Sequence, residues 1–164
     1  MTMATDIYPD HDWWNHRDYF HTTAELFVYL SPGSSNSYQR VYNEISKWQG
    51  LEIFHGIIHD EDRLPLSDIH SLEWHARSIH AAHKLVWFLD TNHRPHYTLS
   101  TLIGNVIAER CCLYADKPKV VAVIGEDAHC MRPLLYYYNV TVVRDAAECI
   151  AELRKWYEWM RDWR

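Results

Sequence analysis

What the chain lacks narrows its function first. No apolar run approaches the ~18 residues of a membrane-spanning helix, so no membrane partner is expected. The opening MTMATDIYPDHDWWNHRDYF has neither the basic nor the apolar stretch of a secretory signal. Basic residues are in deficit: 16 Lys and Arg stand against 22 Asp and Glu, for a net charge of −6 and a pI of about 6.0. A duplex-binding surface neutralises phosphates with clustered Lys and Arg, so this balance argues against duplex nucleic acid. It leaves a single small nucleotide open as a ligand. There are four cysteines, Cys111, Cys112, Cys130 and Cys149, and no CxxC. Free thiols in a reducing cytoplasm are the expectation. GxGxxG, Walker A and HExxH patterns are all missing, which argues against a dinucleotide, a Mg-bound triphosphate and a catalytic zinc. No cofactor is implied, and no internal repeat is found.

What is present belongs to a globular protein. The 164 residues are 48% hydrophobic and 23% charged. A chain of this length buries roughly 70% of its unfolded surface, enough for one core without staples. Twelve histidines and a crowd of aromatics (8 Trp, 11 Tyr, 4 Phe) are unusual. The rings gather at the two ends, at Trp13, Trp14, Tyr19 and Phe20 and again at Trp156, Tyr157, Trp159 and Trp163. That is more ring than one small core needs, and it points to a subunit interface or a lined pocket.

Residues 1–24 read as an irregular arm, and 25–164 as a single α/β domain. In the domain, short apolar runs alternate with helical periodicity. Strands are predicted at 26–30, 51–58, 84–89, 119–124 and 140–143. Between the first two, Tyr38, Val41, Tyr42, Ile45 and Trp48 recur at helical spacing, with Ser35, Asn36 or Ser37 as the N-cap and Gly50 as the stop. A second helix carries Ile69, Leu72, Ala76 and Ile79, and a third carries Leu99, Leu102, Ile103, Val106, Ile107 and Leu113. Asp145 with Glu148 forms a D-x-x-E box that opens a last helix through Ile150, Leu153, Trp156, Tyr157 and Met160.

Near-continuous apolar strands separated by helices imply a parallel sheet covered on both faces. The expected fold is a three-layer, doubly wound α/β sandwich. Its five parallel strands would take the flavodoxin-like, Rossmann-like order 2-1-3-4-5. Ligands bind such sheets beyond the carboxyl ends of the strands, where the order reverses. The loops SPGSSNS, HDEDRLP and DTNHRPHY should meet there. In the first, Gly33 lets backbone approach a ligand, and the next helix presents free N–H groups. Ser31, Ser34, Ser35 and Asn36 add polar groups around the same place. Asp90 ends the third strand and can face the crevice. His70, His75, His80 and His83 do not share a helical face with a carboxylate, so no metal is expected. His75 remains a candidate site residue. Glu73 and Glu109 are helical carboxylates.

Two stretches, AAHKLVWFLD (81–90) and STLIGNVIAERCCLYADKPKVVAVIG (100–125), resemble the core of the nucleoside 2-deoxyribosyltransferase-like superfamily. That superfamily includes the deoxynucleoside 5′-monophosphate N-glycosidases. The strand and Gly-containing loop at 26–33 resemble its opening, and ADKPKV (115–120) resembles its Lys-Pro entry into the fourth strand. The resemblance runs in order over about 26–125. It implies a nucleoside or nucleoside monophosphate ligand, a catalytic Glu on the third helix, and a homo-oligomer whose neighbouring chain completes the site. The Trp-rich final helix would suit such an assembly. The slots depart from the family pattern. His75 falls where the family has a carboxylate before the third strand, with Glu73 two residues earlier. His83 replaces the aspartate that opens that strand. Counted back from Lys117-Pro118, the catalytic position is Glu109. Counted forward from Ser100-Thr101, it is Gly104, beside Asn105.

The chemistry makes that difference decisive. Cleavage of an N-glycosidic bond passes through an oxocarbenium-like state that a carboxylate can trap, while an acid protonates the leaving base. The resemblance thus implies Glu109 or Glu73 as nucleophile, Asp90 as sugar-holding or orienting group and His75 as acid. Ser31, Gly33 and Ser35 would cradle a 5′-hydroxyl or phosphate. If Gly104 holds the catalytic position, Asn105 can bind sugar hydroxyls but cannot be the nucleophile. The fold would then serve as a non-catalytic nucleotide sensor or sequestering protein, or as an interaction module with a vestigial crevice.

Overall fold

The computed structural model describes residues 3–7, 26–31, 35–56, 69–90, 103–104, 120–124 and 132–162. Among them are six strands, β1 (Thr5–Ile7), β2 (Leu26–Leu30), β3 (Leu51–His55), β4 (Lys84–Leu89), β5 (Val120–Ile124) and β6 (Thr141–Val143). Four helices accompany them, α1 (Ser35–Ile45), α2 (Ile69–Ala81), α3 (Arg132–Tyr137) and α4 (Ala146–Asp162). All strand pairs are parallel, and the order is β1-β3-β2-β4-β5-β6. The α/β class with a parallel sheet is as the alternation predicts.

The expected five strands in order 2-1-3-4-5 need correction. Those five are contiguous in the sheet, but β1 adds a sixth on the outer edge of β3, pairing Thr5 with Glu52 and Ile7 with Phe54. A three-residue strand has too little pattern to show a period of two. It forms because β3 offers an open edge and because Ala4 N–H donates to Ser46 O at 3.2 Å beside it. Helix α3 was not expected either. It ends in a turn where Asn139 takes φ 55°, and Val140 N–H donates to Leu135 O at 2.9 Å. The helix predicted around Leu99–Leu113 lies outside the described residues except for Ile103 and Gly104, which are helical. Trp13, Trp14, Tyr19, Phe20 and Trp163, and Cys111, Cys112 and Cys130, also lie outside them.

Strand alternation sorts the core into two layers. Leu26, Val28, Leu30, Ile53, Val86, Phe88, Val121 and Val123 face Val41 and Ile45 of α1 and Cys149 and Leu153 of α4. Phe27, Tyr29, Phe54, Leu85, Trp87, Ala122 and Ile124 face Trp74 and Ile79 of α2, with Ile103 and Leu135. Every residue of β2, β3 and β5 is buried, which explains the unbroken apolar character of β2 and β5, while β3 also buries Glu52 and His55.

Helix α4 buries Ala146, Cys149, Leu153 and Tyr157, a stripe of helical spacing. The Tyr157 hydroxyl donates to Gln49 O at 2.7 Å, and its ring lies 4.9 Å from that of Trp48, fixing α4 against the end of α1. The helix start is capped as its D-x-x-E sequence predicts, with one change of partner. Asp145 Oδ1 accepts from Glu148 N–H at 2.9 Å, while Glu148 Oε2 reaches one residue further back, to Arg144 N–H. Among the described residues no helix is long and apolar enough to cross a membrane.

Candidate functional site

The sheet reverses its order at β2, which pairs with β3 on one side and β4 on the other. The carboxyl ends of these three strands meet the first turn of α1. Ser31, directly after β2, is 1% exposed and bridges to β4: its N–H donates to Val86 O and its Oγ accepts from Phe88 N–H, each at 3.0 Å. The hydroxyl expected to meet a ligand therefore joins two strands. Gly33 lies outside the described residues. Ser35 is the first residue of α1, and Asn36 follows on its exposed side.

Asp90, directly after β4, is half-buried and accepts a hydrogen bond at Oδ2 from the Ser37 hydroxyl in the first turn of α1. This places the carboxylate at the carboxyl end of β4, against the first turn of α1. The Asp90 charge also reaches the Cys149 thiol. Burial first, and the charges of Asp90 and Glu152 after it, push that thiol up to about 12.

His75 and Glu73 leave α2 in different directions. His75 is fully buried and its Nδ1 lies 2.8 Å from the Tyr29 hydroxyl, with the ring edge-on to both Tyr29 and Trp74. Burial holds the Tyr29 phenol well above its ordinary range, with a further push from Tyr38, so Tyr29 is a neutral partner at any physiological pH. Glu73 is half-buried and pairs with Arg77 one turn on, Oε1 to Nη2 at 3.2 Å. Two residues along a helix is about 200° of rotation, so the pair cannot serve one reacting centre from there.

Nor do the histidines converge. His80 is exposed. His83 sits at the amino edge of the sheet, stacked on Phe27 with centroids 5.3 Å apart. Its Nδ1 accepts from Phe27 N–H at 3.0 Å and its own N–H donates to Phe27 O at 2.9 Å, so the side chain continues the ladder between β2 and β4. Among the described residues no three His, Cys, Asp or Glu gather in a way that would hold a metal ion. Glu109 and Asn105 lie outside the described residues. At Gly104 an added Cβ would meet nothing within 4 Å.

A cluster that the sequence did not reveal lies at the β1–β3 edge of the sheet. His55, the last residue of β3, is 2% exposed. Its Nε2 is 2.9 Å from Asp6 Oδ1, and its Nδ1 is hydrogen-bonded to the Tyr38 hydroxyl. The Tyr42 hydroxyl donates to Asp6 Oδ2 at 2.8 Å, and its ring stands edge-on to His55 at 5.0 Å. Tyr38 also packs on Phe88, centroids 5.6 Å apart. The next residue after His55 is Gly56, where an added Cβ would lie 2.6 Å from the Tyr29 hydroxyl and 2.8 Å from Leu30 O. The visible signal was a histidine at an inward-facing position of LEIFH. Its partner Asp6 lies in a stretch that carries no pattern of its own. Comparison with protein-family models and with curated proteins returns no match to this chain.

Proposed function

We propose that the crevice at the carboxyl ends of β2, β3 and β4 binds a nucleoside or nucleoside monophosphate and that the protein cleaves or transfers its N-glycosidic bond. The observation that carries this reading is the carboxylate of Asp90, held by Ser37 at the first turn of α1 beside the switch point. A carboxylate there can hold sugar hydroxyls or orient a nucleophile, and the amino end of α1 suits a 5′-hydroxyl or phosphate. Resemblance to the nucleoside 2-deoxyribosyltransferase-like superfamily supplies the reaction, with Glu109 as the nucleophile. The same resemblance makes the protein a homo-oligomer, and α4 with its exposed Trp159 is the surface we assign to that contact. Its free, buried Cys149 suits a reducing cytoplasm.

The test is direct. The protein is incubated with ribo- and deoxyribonucleosides and their monophosphates, and free base is sought by chromatography. Released base that disappears with Glu109→Gln supports cleavage with that nucleophile. Full activity in Glu109→Gln removes Glu109 from the role.

A second reading, non-catalytic nucleotide binding on the same fold, is favoured by one observation. Two further candidate groups are engaged elsewhere, His75 under Tyr29 and Glu73 with Arg77. A ligand that raises the melting temperature and is recovered unchanged would select this reading. At ~100 times Kd such a ligand adds about 2.7 kcal/mol of stability.

A further inference from the structure

An acid is needed wherever an N-glycosidic bond breaks, because the bonding pair leaves on a ring nitrogen of the base. His75, the residue in the resemblance's acid slot, is fully buried and bonded to Tyr29. The cluster on the other side of the sheet has the required form. Resting on the nucleoside reading and deepening it, we propose that Tyr38 is the acid that protonates the departing base, supplied with protons by His55, which Asp6 positions.

The geometry supports a shuttle. Asp6 Oδ1 lies on His55 Nε2, so that nitrogen carries a hydrogen in either charge state. In neutral imidazole Nδ1 is then the acceptor, and Tyr38 donates to it. In imidazolium Nδ1 donates to the Tyr38 oxygen, and the phenolic hydrogen is released toward the crevice. Tyr38 follows Ser37, which holds Asp90, so one turn of α1 carries both groups over the strand ends. Titratable groups that meet this relay include Asp6 from β1 and Tyr42 from α1, and Asp90 after β4 is held by Ser37, the neighbour of Tyr38.

The step balances as follows. The C1′–N bond breaks and its electron pair stays with the base. The base takes a proton from Tyr38 Oη, which takes one from His55 Nδ1. C1′ forms a bond to oxygen, from a carboxylate or directly from water. The proton released when water adds returns His55 to imidazolium. Tyr38 touches the substrate and is catalytic, whereas His55 and Asp6 act through it.

The experiment compares wild type with Tyr38→Phe, His55→Gln and Asp6→Asn on two substrates. One is a purine deoxynucleoside, whose base needs an acid to leave. The other is 4-nitrophenyl 2-deoxyriboside, whose nitrophenolate does not. Tyr38→Phe keeps the ring that packs on Phe88, so the fold is retained. Its rate on the nucleoside is expected to fall roughly 100- to 10,000-fold, and on the nitrophenyl substrate by less than about 10-fold. His55→Gln should repeat that split. Asp6→Asn, which keeps an oxygen beside His55 Nε2, should show the same split to a smaller degree. Equal losses on both substrates, or full nucleoside cleavage by Tyr38→Phe, would overturn the acid role and leave the nucleoside reading standing. Wild-type protein that releases neither base nor nitrophenolate would overturn both.

Discussion

Asp6 and His55 are 49 positions apart in the chain, and their side chains meet at 2.9 Å across the β1–β3 edge. The contact ties a three-residue edge strand to the end of a buried one. It also leaves a histidine that is 2% exposed with an anionic partner.

Replacing Asp6 with alanine removes the acceptor for both His55 Nε2 and the Tyr42 hydroxyl. Loss of a hydrogen-bond partner to a buried polar group costs about 1–3 kcal/mol, so urea unfolding should show a loss in that range. Asp6→Asn, which keeps an oxygen in place, should lose less. An unchanged midpoint in Asp6→Ala would mean that β1 adds nothing to the stability of the sheet.

Gly56→Ala tests the close approach after β3. The new methyl would sit 2.6 Å from the Tyr29 hydroxyl and 2.8 Å from the Leu30 carbonyl. The carbonyl belongs to a buried strand and cannot step aside. Overpacking of this kind costs about 1–3 kcal/mol, read as a lowered melting temperature. The shift should persist in a Tyr29→Phe background, because the backbone clash remains.

Lys84 opens β4 on the α4 side. Burial lowers its pKa to about 8, against a smaller opposing pull from Glu152. The unfolded chain holds this proton up to 10.5, so the folded state binds fewer protons between about 8 and 10.5, and stability there rises with pH. Below 8 both states are charged and the full burial cost is present. Lys84→Met should therefore stabilise the protein at pH 7 by about 1–3 kcal/mol, and the gain should vanish near pH 11. A gain that is the same at both pH values would assign the effect to packing instead.

Cys149 is buried in the α4 stripe, and its thiol is pushed up to about 12. Thiolate is the reactive form, so native protein treated with iodoacetamide at pH 8 should stay unmodified at this residue. Mass-spectrometric mapping should find Cys149 alkylated only after urea unfolding. Rapid native alkylation would show that α4 opens from the sheet.

The alternation of apolar runs with helical spacing was enough to predict a parallel α/β sheet and five of its strands, since burial on both faces leaves an unbroken apolar signature such as VVAVI. The register of β4 likewise placed Asp90 at the carboxyl edge, because a strand's last residue has a known position once its direction is known. The roles of the other polar residues were decided in three dimensions. Ser31 is a candidate ligand contact by its place after β2, and in three dimensions its hydroxyl accepts from the Phe88 N–H at the β2–β4 junction. The resemblance implies an acid role for His75 and an alternative nucleophile in Glu73, and helical rotation sends one under Tyr29 and the other to Arg77. Thr5–Ile7 has no pattern of its own, and it becomes a strand only because β3 has an edge to fill. With it arrives Asp6, and with Asp6 the His55–Tyr38 cluster, whose members come from three elements with no fixed spacing in the sequence. Local periodicity determines which segments must be buried, and so the class of fold. Which polar side chains meet at its edge is set by strand order and helix rotation, and those exist only once the chain has packed.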